Sequence, residues 1–299
     1  MLFTNHEYNC FAKDPAVIEY NGYYYLYYTV YTRQTGCDIG IARSEDGDQF
    51  EELEYFPRTQ ECEKNGVAAP AAIVMDGVLH LFYQTYWNEK LDSICHATST
   101  DGIHFVKDES NPVFAPREPW AKLMDWACGR AIDADICVFN NKLFLYYATR
   151  DKDYKRQIVG SAAAELTSGF GSGSFTMFSD LALEPILDWE GDCIEAPATI
   201  VKDGRLYMFY GGAYNCKPQQ IGCAVSEDGV HFKRLFVEEP FLKCGKEGEW
   251  NSCESGHPYV YEAKDGRIWL YYQGTADMGK TWYLSRCELG FRDGIPFFR

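Results

Sequence analysis

Residues 14–29 read DPAVIEYNGYYYLYYT: a short apolar run, an Asn-Gly pair, then a run of Tyr and Leu. Asn-Gly between two such runs signals a β-hairpin, because both central residues of a type I′ turn need positive φ. The unit recurs four times. It returns as APAAIVMDGVLHLFYQT from Ala69, DADICVFNNKLFLYYAT from Asp133, EAPATIVKDGRLYMFYGG from Glu195 and HPYVYEAKDGRIWLYYQG from His257. Starts at 14, 69, 133, 195 and 257 lie 55, 64, 62 and 62 residues apart, and one period sustained along a chain marks a repeat architecture.

A third strand with its own turn follows three of the hairpins. The stretches are IGIARSEDGDQF ending at Phe50, ICHATSTDGIHF at Phe105 and IGCAVSEDGVHF at Phe232, with Ser-x-Asp-Gly-x-x-Phe in common. The third repeat departs from this with SAAAELTSGFGSGSF, and the fifth ends in YLSRCELGFRDGIPFF. Five units of four short antiparallel strands describe an all-β fold, a five-bladed β-propeller, in which radial repetition leaves only short protected edges. A pair of β-sandwiches would not produce five copies at one period. With no Pro/Gly/Ser-rich linker, residues 1–299 read as one domain, and helices are expected to be scarce.

Composition narrows the function classes. The 28 Lys and Arg against 44 Asp and Glu give a net charge of −16, which argues against nucleic acid or an anionic membrane as partner. Aromatic residues make up 16% of the chain, which suits pleated sheets and also a site that stacks on sugar rings. The 12 Cys show no CxxC and no Cys/His grouping of the structural zinc kind. The opening MLFTNHEYNCFAKDP lacks the basic and apolar regions of a signal peptide. The expectation is a cytoplasmic protein with reduced thiols, or a secreted one whose leader has been removed.

In a propeller the first strand of each blade lines the central channel and starts at one rim. Counting back from the turns, Asp14, Ala69 and Asp133 each lie eight residues before the second turn residue, and Glu195 and His257 lie nine before it. Five positions converge on one funnel, and three are carboxylic acids. Crowded acids that lose hydration push at least one pKa upward, which makes a proton donor beside ionised neighbours. Glycosidic bond cleavage needs such a pair: a protonated acid for the leaving oxygen and a carboxylate to activate water or attack carbon. Strand alternation puts Asp135 on the same face as Asp133, but only Asp133 matches the register of Asp14. The bland alternative is an Asp capping a turn before Pro and a Glu at a solvated strand end.

At these residues the sequence resembles glycoside hydrolase family 43, the five-bladed propeller glycosidases, with families 32 and 130 as structural relatives. The resemblance covers the whole chain. It implies that Asp14, in KDPAVIEYNG, is the general base, that Asp133, in RAIDADICVF, tunes pKa and orients the acid, and that Glu195, in DCIEAPATI, is the general acid. It further implies inverting hydrolysis of pentose-containing oligosaccharides. Family 32 motifs of the NDPNG and RDP kind are absent as written, which disfavours a retaining fructan hydrolase. A glycoside phosphorylase on the same fold would need basic residues at the rim, and Arg130, Arg150 and Arg156 are the candidates. A non-catalytic carbohydrate-binding propeller remains a third reading.

Other residues complete the expected pocket. Rim loops carry Tyr31, Trp87, Arg150, Tyr214 and Gln273, and loops entering the first strands carry Trp126, Trp189 and Trp250. Ring faces stack on sugar C–H faces, and Arg or amide groups fix hydroxyls; half of these aromatics are expected to pack between blades instead. The chemistry requires no cofactor. In the resembled family a His near His257 often approaches a central metal, frequently calcium, so His257 is either a metal ligand or a hydrogen-bonded core residue. His104 and His231 read as turn residues on the opposite face.

Overall fold

The computed structural model describes residues 1–32, 36–115 and 122–299. Five sheets of four antiparallel strands, each in simple sequential order, form the five-bladed propeller. Blade one comprises Lys13–Tyr20, Tyr23–Thr32, Gly36–Ser44 and Glu51–Tyr55; blade two comprises Val67–Met75, Val78–Thr85, Ile94–Ser99 and Val106–Lys107. Blade three runs through Ile132–Phe139, Lys142–Arg150, Gln157–Glu165 and Thr176–Met177, and blade four through Ile194–Lys202, Arg205–Gly212, Gln220–Ser226 and Lys233–Arg234. Blade five is Glu254–Glu262, Ile268–Thr275, Tyr283–Arg292 and Ile295–Phe298. Among the described residues the helical content is three single 3₁₀ turns.

The hairpin turns behave as the sequence dictates in four blades. Both central residues have positive φ at Asn21-Gly22, Asp76-Gly77, Asn140-Asn141 and Asp203-Gly204. Blade five differs: Glu262 pairs with Ile268 across a longer turn, so its Asp-Gly does not make a two-residue hairpin.

The core lies between blades, in apolar layers each shared by neighbouring sheets. Large phenol rings fill these layers, which forces small residues opposite them. Tyr28 faces Gly40, Tyr147 faces Gly160 and Tyr210 faces Gly222 across the second and third strands. The Ser-x-Asp-Gly turns dock each sheet on its neighbour. Asp101 Oδ1 accepts the amides of Ile103 and His104, both at 2.8 Å, while the Gly102 carbonyl accepts the Tyr27 hydroxyl of blade one at 2.8 Å. Asp228 repeats the cap, and the Gly229 carbonyl takes Tyr146 of blade three at 2.6 Å. His104 and His231 sit exposed against the capping aspartates, as turn residues.

A Cβ added at Gly222 would overlap the Tyr210 ring, which is fully buried. Overpacking at such a site costs about 1–3 kcal/mol, so Gly222→Ala is expected to lower the unfolding free energy by that amount, read as a lower urea midpoint at unchanged slope. An unchanged midpoint would show that the ring has room to move.

Candidate active site

Each inner strand carries a β-bulge near its start, between Lys13 and Ala16, Ala68 and Ala71, Ile132 and Asp135, Glu195 and Ala198, and Gly256 and Tyr259. Bulges re-aim side chains and commonly border active sites. Here every bulge contains one residue at positive φ: Asp14, Ala69, Asp133, Ala196 and His257. Asp and His tolerate this region better than most non-glycine residues. The bulge also frees a backbone N–H, which must find an acceptor once buried. In four blades that acceptor comes from the preceding blade: Asp14 N–H donates to Gln273 Oε1 at 3.0 Å, Ala69 to Thr29 Oγ1 at 2.8 Å, Asp133 to Gln84 Oε1 at 2.5 Å and His257 to Gln219 Oε1 at 3.1 Å.

This register corrects the sequence count for Glu195. Lys202 pairs with Arg205 just as Tyr20 pairs with Tyr23, so the turn absorbs no extra residue. Glu195 therefore stands one place earlier than Asp14, in the position of Lys13, and Ala196 holds the Asp14 place. In blade five the longer turn takes up the difference, and His257 does align with Asp14. The residues on both sides of the bulge face one cavity all the same, because the positive-φ residue turns the chain between them.

That cavity, of about 440 Å³, is lined by Lys13, Asp14, Asp133, Glu195 and His257 among others. His257 is the hinge of the group. Its Nδ1 lies 2.7 Å from Asp14 Oδ1 and its Nε2 lies 3.2 Å from Glu195 Oε1. The Asp14 contact is a charge contact without hydrogen-bond alignment, since Asp14 Oδ1 has no aligned donor. Glu195 Oε1 also accepts Gln219 Nε2 at 2.6 Å, and Gln157 Nε2 donates to Oε2.

Burial opposes ionisation of Asp14, yet the imidazolium of His257 and the Lys13 ammonium hold its carboxyl well below the ordinary range. Glu195 is likewise lowered against the effect of burial by His257, Lys13 and Gln219. His257 is held well above its usual value, because Asp14, Glu195 and Asp133 outweigh its burial. The acid pushed upward is Asp133, to about 7, first by burial, with His257 pulling back and the charges of Glu195 and Asp14 pushing further. Asp135 lies deeper. Its Oδ2 accepts the Thr199 amide at 2.8 Å and the Thr199 hydroxyl at 2.5 Å, and it faces a narrow continuation of the channel instead of the cavity.

The other expected residues divide. Trp87, Arg150, Tyr31 and Tyr214 line the cavity, with Trp87 58% exposed at the rim. Trp126 does not: its indole packs against Gly160 and donates to the Ser179 carbonyl at 2.8 Å. Gln273 is buried behind the cavity, where it holds the Asp14 amide and donates to Glu254 Oε1 at 2.7 Å. Trp189 stacks on Tyr210 and Trp250 packs against Tyr272, both as blade-packing residues. Arg156 pairs with Asp151 and Glu184 away from the cavity, whereas Arg130 lines it. Lys13, Gln84, Gln157, Gln219 and Tyr86 were not singled out from the sequence. Lys13 was one residue from Asp14, and the glutamines follow no single repeat register, since Gln84 ends a second strand and Gln157 begins a third.

Asp133, Glu195 and His257 offer donor atoms within 4.8 Å of one another. They do not make a calcium cage. Calcium takes six to eight oxygen ligands, whereas this set supplies one imidazole, whose two nitrogens already face Asp14 and Glu195, and two carboxylates. No step below is routed through a metal.

With the acids, the imidazolium and the rim rings in one cavity, the sequence profile decides the family: Glycosyl hydrolases family 43 matches residues 3–290. The chain belongs to glycoside hydrolase family 43. As a family 43 glycoside hydrolase it shares its fold with solved enzymes over nearly its whole length. A thermostable family-43 glycoside hydrolase superposes with TM-score 0.77 at 21% identity, over 99% of this chain and 96% of the other. An endo-1,4-β-xylanase from Bacteroides thetaiotaomicron gives 0.73 at 18% identity, over 96% and 94%. An α-L-arabinofuranosidase from Lactobacillus brevis gives 0.70 at 16%, over 98% and 97%. In sequence, a sucrose-6-phosphate hydrolase from Zymomonas mobilis is 28% identical over 163 residues, which is 50% of this family 43 chain but only 30% of that relative.

The raised Asp133 carboxyl has a consequence for stability. Between the ordinary value of 3.8 and about 7 the folded protein holds a proton there that the unfolded chain has released. This group's contribution to stability therefore falls as pH rises through that window. Asp133→Asn removes the dependence, so its urea midpoint relative to wild type is expected to rise between about pH 5 and about pH 8. A constant difference would mean that Asp133 titrates as an ordinary carboxylate.

Proposed function

We propose that this family 43 enzyme hydrolyses glycosidic bonds of pentose-containing oligosaccharides, in the manner of an arabinofuranosidase or xylosidase, with inversion at the anomeric carbon. The observation that carries the reading is the placement of Asp14 and Glu195 at opposite nitrogens of one buried imidazole. The two carboxylates thus stand apart, on either side of the His257 ring, which supports a base and an acid acting on opposite faces of a sugar. Rings of Tyr31, Trp87 and Tyr214 at the cavity suit a sugar's C–H faces.

Asp14 acts as the general base. Held ionised, with Oδ1 lacking an aligned donor, it takes a proton from the water whose oxygen attacks the anomeric carbon. As that bond forms, the bond to the leaving oxygen breaks, and Glu195 gives the leaving oxygen its proton. Glu195 is low in the resting site, so it must acquire that proton first. Two sources adjoin it: His257 Nε2, at 3.2 Å, and Asp133, pushed up to about 7. Entry of a sugar displaces water and weakens the support for three neighbouring charges, which favours moving a proton onto Glu195. Asp133 thus modulates both partners, and the Lys13 ammonium keeps Asp14 ionised while this happens.

Replacing Glu195 by Gln tests the assignment. Loss of a general acid costs about 10²–10⁴-fold, so cleavage of natural linkages is expected to fall by that factor, while glycosides of 2,4-dinitrophenol, which leave unprotonated, retain most of their rate. Equal retention of both activities would remove Glu195 from the role of acid.

A further inference from the structure

One side of the cavity mouth is cationic in a chain of net charge −16. Arg130, in the loop entering blade three, and Arg150, at the end of that blade's second strand, both line the cavity. Their surroundings converge on Tyr154. The Arg150 guanidinium lies 5.8 Å from the Tyr154 ring centre and 5.3 Å from that of Tyr214, whose hydroxyl it contacts. Lys90 Nζ lies 4.8 Å over the same Tyr154 ring. Arg130 donates to Gln157 Oε1 at 3.2 Å, while its buried Nε has no hydrogen-bond partner among the described residues.

Carboxylates do not balance this group. Among the described residues only Asp92 pairs with any of the three, at 3.7 Å from Arg130, and burial pushes the Asp92 carboxyl up to about 6. Glu89, the other acid near Tyr154, makes no ion pair with them among the described residues. The catalytic carboxylates have their own counter-charges, since His257 lies between Asp14 and Glu195 and Lys13 acts on both. Arg150 is left as a planar fork of donors, flanked by phenol rings, with no carboxylate paired to it among the described residues. Such a fork suits a carboxylate or phosphate, which it can bind through two parallel hydrogen bonds. A neutral sugar would cover the guanidinium without supplying a counter-charge.

We propose that the substrate carries a negatively charged group, a sugar carboxylate or a phosphate ester, that seats on Arg150 and Arg130 while the scissile bond lies between Asp14 and Glu195. The proposal rests on the hydrolase reading above and narrows its substrate class. Lys90, at the outer edge, adds attraction for an approaching anion.

Matched chromogenic pairs test it: 4-nitrophenyl β-D-xyloside against the β-D-glucuronide, and 4-nitrophenyl α-L-arabinofuranoside against its 5-phosphate. The anionic member of at least one pair is expected to show kcat/KM about ten-fold higher or more, carried by KM and shrinking as salt is added. Which pair responds tells a carboxylate from a phosphate. Arg150→Gln is expected to remove the preference, and Arg150→Lys to restore part of it. Titration calorimetry of the same four glycosides against the Glu195→Gln variant separates binding from turnover. Preference for the neutral member in both pairs overturns the proposal and leaves the hydrolase reading intact. Tighter binding of an anionic member without turnover by wild type keeps the anion seat on Arg150 and Arg130 but overturns the pentoside-hydrolysing reading and with it the seating of a scissile bond there, and absence of both binding and turnover overturns both. If inorganic phosphate accelerates cleavage of the neutral members and a sugar 1-phosphate appears, the anion is a free co-substrate and the proposal falls.

Discussion

A buried backbone N–H has to be hydrogen-bonded, and the bulge at the head of each inner strand frees one at the channel mouth. Four of the five are taken by a side chain from the blade before: Gln273, Thr29, Gln84 and Gln219. These bonds join neighbouring sheets at the heads of their inner strands. They also fix the residues that carry chemistry, since Asp14, Asp133 and His257 are themselves the residues so held. The same four contacts thus close the ring and aim the site. Loss of one leaves a buried donor unsatisfied, at a cost of about 1–3 kcal/mol, and in three of the four cases also loosens Asp14, Asp133 or His257.

Charge is arranged with the same economy. Three carboxylates share one cavity with two cations beneath them, His257 and Lys13, and the pairing is unequal. Asp14, with His257 Nδ1 at 2.7 Å, stays ionised, while Asp133, raised by burial and by the charges of Glu195 and Asp14, holds its proton up to about pH 7. Asp14 and Asp133 are the same residue type, and what surrounds each sets their protonation apart. Gln157 connects the two halves of the pocket: its Oε1 accepts from Arg130 and its Nε2 donates to Glu195. An event at the cationic side of the mouth can therefore be felt at Glu195 through a single amide.

The propeller was legible in the sequence because hairpin turns and strand alternation are local, and five copies of DPAVIEYNGYYYLYYT and its relatives repeat them. Asp14, Asp133, Glu195 and His257 were legible for the same reason. The one-residue offset of Glu195 was not, because it depends on whether an extra residue is absorbed by a turn or by the strand, and blades four and five resolve this in opposite ways. Trp126 and Trp189 look like sugar platforms by type and position, yet both are consumed in packing against Gly160 and Gly212. The supporting glutamines were invisible for a third reason. Gln84 and Gln273 occupy one register on second strands, but in blade four that place is Gly211, and Gln219 folds over it from just before the third strand. A function kept in space while its residue moves in sequence leaves no repeat to find.

The central claim is that Asp14 and Glu195 act on opposite faces of the sugar, with a water between base and anomeric carbon. Proton NMR of the first product released from an aryl glycoside reads this directly, before mutarotation scrambles the anomers. The account predicts the anomer opposite to that of the substrate, as a carboxyl separation of roughly 6.5–9.5 Å gives. A product of the same configuration would mean that a carboxylate attacked carbon, as at roughly 5–5.5 Å, and would contradict the role assigned to Asp14.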